Sequence, residues 1–445
     1  MPSTGNLKVQ VFKGESYIPI ENAKVTVVQK KETSSRQLEQ VTVSDSSGST
    51  NEIQLDAPPI EYSMKPSDKL PYSFCDIKVE AEGYQTFIVK NCQIYPEKTA
   101  LQECKMKTMK RGMRQEEIIE VQPNTLVGNY PPKIPEDPEK PLPPPPSGYV
   151  VLPEPVVPGL IVVHAGSPNN PNAPNYTVGF KDYIKNVASS EIFSTWPENT
   201  IRANIYCIIS FTLNRIYTEW YRGKGKNFDI TNSTAYDHAF TYGRNIYKNI
   251  SRIVEELFST YIKRWGRKQP LLTQYCDGVK VKCPGWMTQW GSKYLGDKGR
   301  APYEILTHFY GSDLEFKRAK KVEGIPKSWP GYVLKLGSSG APVRTVQTYL
   351  NRIARNYPAI PKVKVDGIYG EKTKEAVKTF QRIFGLPATG VVNYPTWYKI
   401  SDVYVGVTKI AELRGEVFKR KIFKPHVPYR GVGAVPEMEY PCDKG

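Results

Sequence analysis

Apolar and polar residues alternate with a period of two in four stretches of the first 107 residues: LKVQVFKG, AKVTVVQK, EQVTVSDSSGST and DIKVEAEGYQTFIV. Such alternation puts successive side chains on opposite faces of a β-strand. Gly, Pro, Asn and Ser between the stretches supply the turns. Short strands at this spacing predict a small β-sandwich over residues 1–107. The pattern then stops. Residues 108–130 carry a charged stretch, RGMRQEEIIEVQ, and prolines recur from Pro131 through Pro158 around PLPPPPSG. Proline locks φ and donates no backbone N–H, so 108–158 reads as an extended, semi-rigid linker and a domain boundary. Its exposure makes it a natural site of proteolysis.

Beyond the linker the period changes to that of a helix. Residues 159–325 show helical patterns at 180–192, 198–221 and 242–265, and a last helix from Pro302 to Phe309. Pro197 suits the first turn of the second helix, where its missing N–H costs nothing. Residues 331–401 form a separate module. There Val343, Val346, Leu350 and Ile353 recur at helical spacing, and Ala376, Val377, Phe380 and Ile383 repeat the idea. Gly367 and Gly370 between them allow a tight loop. The expected fold class is multidomain α+β: an N-terminal β-sandwich, a mixed α/β domain, a C-terminal three-helix module and a tail at 402–445.

Composition narrows the function. A chain of 445 residues is too long for one core. Mean hydropathy of −0.47 and the lack of a long apolar run argue against a membrane span. The opening MPSTGNLKVQ lacks the basic-then-apolar layout of a signal peptide. A formal charge of +17 suggests a polyanionic partner. Lys and Arg are spread along the chain without a nucleic-acid-binding signature, and a carboxylate-bearing polymer is an equally good acidic partner. Seven cysteines, an odd number over this length, form no disulfide framework. The C-x6-C spacing of Cys276 and Cys283 is too long for most zinc sites and has no nearby histidine, which leaves two buried thiols or one disulfide. No metal or cofactor is expected.

Three resemblances attach to these segments. The order of strands in residues 1–107, with a turn from Asp45 to Gly48 and a Gly83-Tyr84 pair, resembles the carboxypeptidase-regulatory or transthyretin-like sandwich, which implies a binding or regulatory role. Residues 331–401 resemble the three-helix peptidoglycan-binding domain at Leu336-Gly337, Gln347, Asp366-Gly367, Phe380-Gln381, Thr389-Gly390 and Thr396-Trp397. That likeness implies a module that holds muropeptide and places its neighbour on the polymer.

The third concerns VASSEIFSTWPENTIRANI. Glu191 stands between two helical patterns with Ile192, Phe193 and Trp196 beside it. A carboxyl against apolar surface has its charged form disfavoured, so its pKa rises. A general acid working near neutral pH needs that property. The stretch resembles the opening motif of the stage II sporulation protein D family, with Glu191 on the catalytic glutamate, Trp196-Pro197 on the Trp-Pro and Arg202 on the helix lysine. CPGWMTQWGSKYLGDKGRAPYEILTHFYGSD resembles a second signature of that family through Gly285, Met287, Thr288-Gln289, Gly291 and Tyr310-Gly311. The chain departs from the family at Ile209, where a helix arginine is usual, and at Thr288, which replaces serine.

The resemblance implies a lytic transglycosylase that cuts between N-acetylmuramic acid and N-acetylglucosamine, with Glu191 catalytic and Arg202, Tyr275, Thr288 and Gln289 binding substrate. A hydrolase needs a second carboxylate, and Glu198, Asp229 and Asp237 stay open for that role. The order of segments is similar to that of spore cortex-lytic enzymes, which are stored as zymogens and activated by a subtilisin-like protease. That likeness implies peptidoglycan of the cortex as partner, location in the spore outside its core, and cleavage at Val150–Val151. The tethered sandwich would lie across the groove, with Glu116-Glu117 received by Arg202. Two other readings stand beside this one: a non-catalytic enhancer of a partner amidase, and an amidase.

Overall fold

Strands built from the N-terminal alternation form two facing sheets in the computed structural model, which describes residues 3–30, 37–109, 112, 116–136 and 154–408. Val150, Val151 and everything beyond residue 408 lie outside the described residues. The strands are β1 (Ser3–Lys13), β2 (Lys24–Lys30), β3 (Gln37–Val43), β4 (Ile53–Ala57), β5 (Ser73–Glu80), β6 (Thr86–Ile94), β7 (Thr99–Met106) and β8 (Glu116–Glu120). One sheet runs β3-β2-β5-β6-β8 and the other includes β7-β1-β4. Leu7, Val9 and Val11 of β1 and Val25 and Val27 of β2 are fully buried between them, as a period of two requires.

After the linker come β9 (Val156–Val157), β10 (Leu160–His164), β11 (Asn175–Gly179), α1 (Phe180–Glu191) and α2 (Glu198–Tyr217). The chain continues through β12 (Ile230–Thr231), β13 (Ile246–Tyr247), α3 (Lys248–Leu257), β14 (Thr260–Arg264), β15 (Tyr275–Cys276) and β16 (Met287–Thr288). It closes with α4 (Gln289–Asp297), α5 (Pro302–Tyr310), β17 (Leu314–Arg318), β18 (Lys321–Val322), α6 (Ala341–Ile353), α7 (Glu371–Ile383) and α8 (Tyr394–Thr408). α2 is the central post, with Ile205, Ile208, Ile209 and Phe211 buried against α1, α3, α4, α5 and β14.

Two findings depart from the sequence pattern. The helix expected at 242–265 is three elements, β13, α3 and β14. The β-branched and aromatic Thr260, Tyr261 and Ile262 pair antiparallel with β17, and the Ile262 N–H donates to Ser210 Oγ at 2.8 Å. Tertiary pairing overrides a helical period that continues only by coincidence. The sandwich, too, is no loosely tethered body. β13 adds to its sheet beside β7, and the Trp196 indole donates to Ser63 O at 2.9 Å. Tyr95 packs on Phe193 and Tyr247, and the Gln93 carbonyl accepts from Tyr247 Oη and Asn245 Nδ2. The linker separates these parts along the chain but not in space.

The C-terminal helices join the same core. Tyr394 and Tyr398 of α8 pack on Phe258, Tyr357 Oη donates to Tyr17 O at 2.6 Å, and Lys181 pairs with Asp402. α8 runs past residue 401, so Asp402 belongs to the module and not to a tail. Beside it Glu255, 3% exposed, accepts from Lys181 at 2.6 Å and Lys185 at 2.7 Å. Burial alone would raise the Glu255 pKa, but Lys181, Lys185 and Lys399 outweigh it and hold the carboxyl well below the usual range. Its contribution to stability is thus present above the unfolded value of about 4.3 and lost as pH falls through the folded pKa. Glu255→Gln leaves the buried Lys185 ammonium without its ion-pair partner, while Lys181 keeps Asp402, and is expected to cost ~3–5 kcal/mol in urea unfolding. A change under ~1 kcal/mol would mean that the cluster is already balanced without Glu255.

Candidate active site

α1 ends at Glu191 because Ile192 turns extended (φ −130°, ψ 160°). The last carbonyls of a helix have no partner within it, and here polar side chains from elsewhere supply donors. Asn124 Nδ2 donates to Ile192 O at 3.1 Å, and Gln289 Nε2 donates to Glu191 O at 2.8 Å. The Glu191 side chain is held as firmly as its backbone. Oε1 accepts from the Ala239 N–H at 2.6 Å, and Oε2 accepts from Tyr275 Oη. The Tyr275 ring lies parallel to that of His238, 5.9 Å between centroids. Gly278 (φ 81°) closes the turn that carries Tyr275; a Cβ there would sit 2.4 Å from the Thr288 Cβ.

Glu191 is 3% exposed and faces a cavity of about 460 Å3. Burial pushes its carboxyl above the usual range, and the Lys133 charge, Tyr275 Oη and the Ala239 N–H oppose that only in part. Asp237 and Asp277 also line the cavity, but each is committed elsewhere. Asp237 accepts from Arg215 Nε, Tyr221 Oη and both the N–H and Oγ1 of Thr231, all within 2.9 Å. Asp277 accepts from the N–H groups of Lys280 and Val281 at 2.7 and 2.8 Å.

The roof of the cavity comes from the linker. Residues 124–136 run across it as a strap. Thr125 N donates to Ser190 O, Ile134 N to Ala235 O and Glu136 N to Gln274 Oε1. Lys280 Nζ donates to Val127 O at 2.7 Å. Lys133 donates to Asp237 O and stands 4.7 and 5.0 Å from the Phe211 and Tyr275 ring centroids. Glu136 closes the strap on Arg215 with two bonds, 2.9 and 2.6 Å.

Of the residues singled out in the sequence, Glu191, Tyr275 and Gln289 meet at this cavity. Gln289 reaches the Glu191 main chain and not its carboxyl. Arg202 and Thr288 are placed elsewhere. Arg202 is tied to Glu198 and Glu256, and Thr288 caps α4 by accepting from Gly291 N. Glu117 pairs with Lys107 and not with Arg202. Glu198 sits in the same surface ion cluster, and Asp229 is bonded to Arg222 and Val162 N. Asn124, Lys133, Glu136, Arg215 and Ala239 are the functional neighbours that sequence reading passed over, since none stands in a periodic pattern. Cys276 and Cys283 are joined in a disulfide. Among the described residues no group of three or more His, Cys, Asp and Glu side chains is placed to hold a metal ion, and no helix is long and apolar enough to cross a membrane.

Residues 339–400 match the family model described as a peptidoglycan binding domain. The match supports peptidoglycan as the partner of this module. The chain also shows likeness to solved structures. The SleB N-terminal domain is 30% identical, covering 17% of this chain and 99% of that one, at a TM-score of 0.16. A 3-chlorocatechol 1,2-dioxygenase from Rhodococcus opacus 1CP is 10% identical over 27% of this chain and 60% of that one, TM-score 0.16. A 9R-lipoxygenase from Cyanothece PCC8801 is 10% identical over 26% and 16%, TM-score 0.11. None of these structural likenesses extends over the whole chain. No curated protein matches it.

Lys133→Met in the full chain is expected to raise the Glu191 pKa further, because the ammonium favours the carboxylate form. Infrared difference spectra of 13C-glutamate-labelled protein, referenced to Glu191→Gln, would read the shift. A downward move would show that Lys133 does not face the carboxyl.

Proposed function

We propose that this chain is the precursor of a lytic transglycosylase acting on spore cortex peptidoglycan, with Glu191 as its acid and base and residues 124–136 as the segment that keeps it silent. The supporting observation is the contrast among the acids at the cavity. Glu191 has a raised pKa and two donors, whereas Asp237 and Asp277 are saturated or bound to backbone amides. Hydrolysis requires a second working carboxylate to attack or to activate water. The lytic reaction requires one carboxyl alone.

In that reaction Glu191 gives its proton to the bridging oxygen as the bond from muramic C1 breaks. The resulting carboxylate is received by the Ala239 N–H and Tyr275 O–H. It then takes the proton of the muramic C6 hydroxyl while that oxygen bonds to C1 and closes a 1,6-anhydro ring. No water is consumed, and Glu191 ends protonated. The raised pKa keeps the acid loaded toward neutral pH, so activity falls as pH rises through it. The peptidoglycan-binding module holds the polymer beside the groove, and a subtilisin-like protease cutting at Val150–Val151 starts activation. Mass spectrometry of digested cortex tests the reading: fragment ends lighter by one water than hydrolysis products support it, and hydrolysed ends overturn it.

A further inference from the structure

Arg215 has no exposed side-chain surface, although part of what covers it is the strap. Nε donates to Asp237 Oδ1 at 2.8 Å and Nη2 donates to Tyr236 O at 3.2 Å, so two bonds within one folded unit set the guanidinium plane. Phe211 and Trp220 frame it, each ring centroid 4.8 Å from Cζ. The remaining two-pronged edge, Nη1 and Nη2, grips Glu136 as a fork. An arginine oriented from behind, framed by rings and presenting both outer donors, is built to receive a carboxylate.

Beside that edge lies a second cavity, of about 540 Å3, walled by Trp220, Tyr221, Tyr236 and Lys224 and by strap residues 134–136. The strap passes from the Glu191 cavity into this one. A fully extended stretch from Lys133 to Glu136 spans at most about 10 Å, and Asp237, which accepts from Arg215, itself lines the Glu191 cavity, so the fork lies beside that cavity. Loss of Glu136 leaves a buried guanidinium with its fork unpaired, which is strongly unfavourable unless another carboxylate takes its place.

We propose that Arg215 is a subsite for a carboxylate of the glycan strand, carried on the lactyl arm of a muramoyl unit, and that Glu136 occupies it in the intact chain. The inference rests on reading the cavity as a glycan site. Glu136 is thus a ligand mimic, and Lys133 its companion near the acid.

The test uses the full chain carrying E191Q, with and without K133A and E136A, so that bound glycan stays uncut. The probe is a tetrasaccharide of alternating N-acetylglucosamine and N-acetylmuramic acid with free lactyl carboxylates, set against the same sugar with those carboxylates amidated. By calorimetry the K133A/E136A chain is expected to bind the acid about tenfold tighter than the amide, as a charge-assisted fork requires. R215K in that background should abolish the preference and leave amide affinity unchanged. Equal affinity for acid and amide overturns the assignment without any change at Arg215, so misfolding of R215K cannot mask failure. Binding of neither sugar, or a preference that survives R215K, overturns it as well. Cleavage is not read here: a chain that forms anhydro ends yet ignores the carboxylate sinks this inference alone, and one that discriminates yet forms none sinks the catalytic reading alone.

Discussion

Glu191→Gln is expected to lower formation of anhydro-ended fragments by about 10²–10⁴-fold while leaving the fold intact, the loss typical of removing a general acid. The amide can still accept from the Ala239 N–H, and its NH2 can donate to Tyr275 Oη, so both contacts of the native carboxyl persist in exchanged form. Removing a buried, partly uncompensated carboxyl should not lower the melting temperature, because burial disfavours its charge in the first place. The measurement is product mass spectrometry on cortex with the activated protein, with circular dichroism and sedimentation with insoluble peptidoglycan as controls. Residues 339–400, which match a peptidoglycan binding domain, are untouched, so wall binding should be unchanged. Activity within a few-fold of the native protein would remove Glu191 from the chemistry and favour the non-catalytic enhancer.

A single cut at Val150–Val151 is expected to leave one particle, not two. Trimming a loosely tethered sandwich would let it diffuse away, but the N-terminal part shares a sheet with β13, buries Tyr95 against Phe193 and bonds through Gln93 to Asn245 and Tyr247. None of these contacts runs through the linker. Size-exclusion chromatography should show residues 1–150 eluting with the remainder. Activation then depends on the strap peeling from the cut end, against the Glu136–Arg215 fork and the Lys133 contacts. The cut loses the effective concentration that holds this end down, of millimolar order for a short tether. Substituting both anchors in the cut K133A/E136A chain should raise activity on the order of tenfold or more above the cut native chain. Elution of the fragment alone would show that the strap and sandwich leave together.

The legible parts of the site were those carried by short-range sequence. Ile192, Phe193 and Trp196 beside Glu191 announce an apolar setting, and burial does dominate its shift. Gln289 stood in a motif likeness and Tyr275 in a turn that departs from it; both were read as sugar-holding residues, and the structure sets both against Glu191. Arg202 shows where the reasoning stops. A helix position aligned with a charged motif residue says nothing about which way the turn faces, and its neighbours Glu198 and Glu256 capture it on the surface. Asp237 could be weighed as a second acid only by its type, because the donors that saturate it come from α2, Tyr221 and Thr231.

The alternation of β1 and β2 and the helical recurrence in α6 and α7 determine their own buried faces, because a strand or helix repeats every two or 3.6 residues whatever it packs on. Those elements, and the C-terminal module that α6 and α7 help build, were therefore set by the sequence itself. The surroundings of Glu191 were not. Glu191 meets Ala239 and Tyr275 across 48 and 84 residues, and Glu136 meets Arg215 across 79. The strap that makes the last contact runs through Pro131, Pro132 and Pro135, a stretch with no period to betray its partner. Burial and pairing of charges depend on which surfaces close over one another, and only the packed chain decides that.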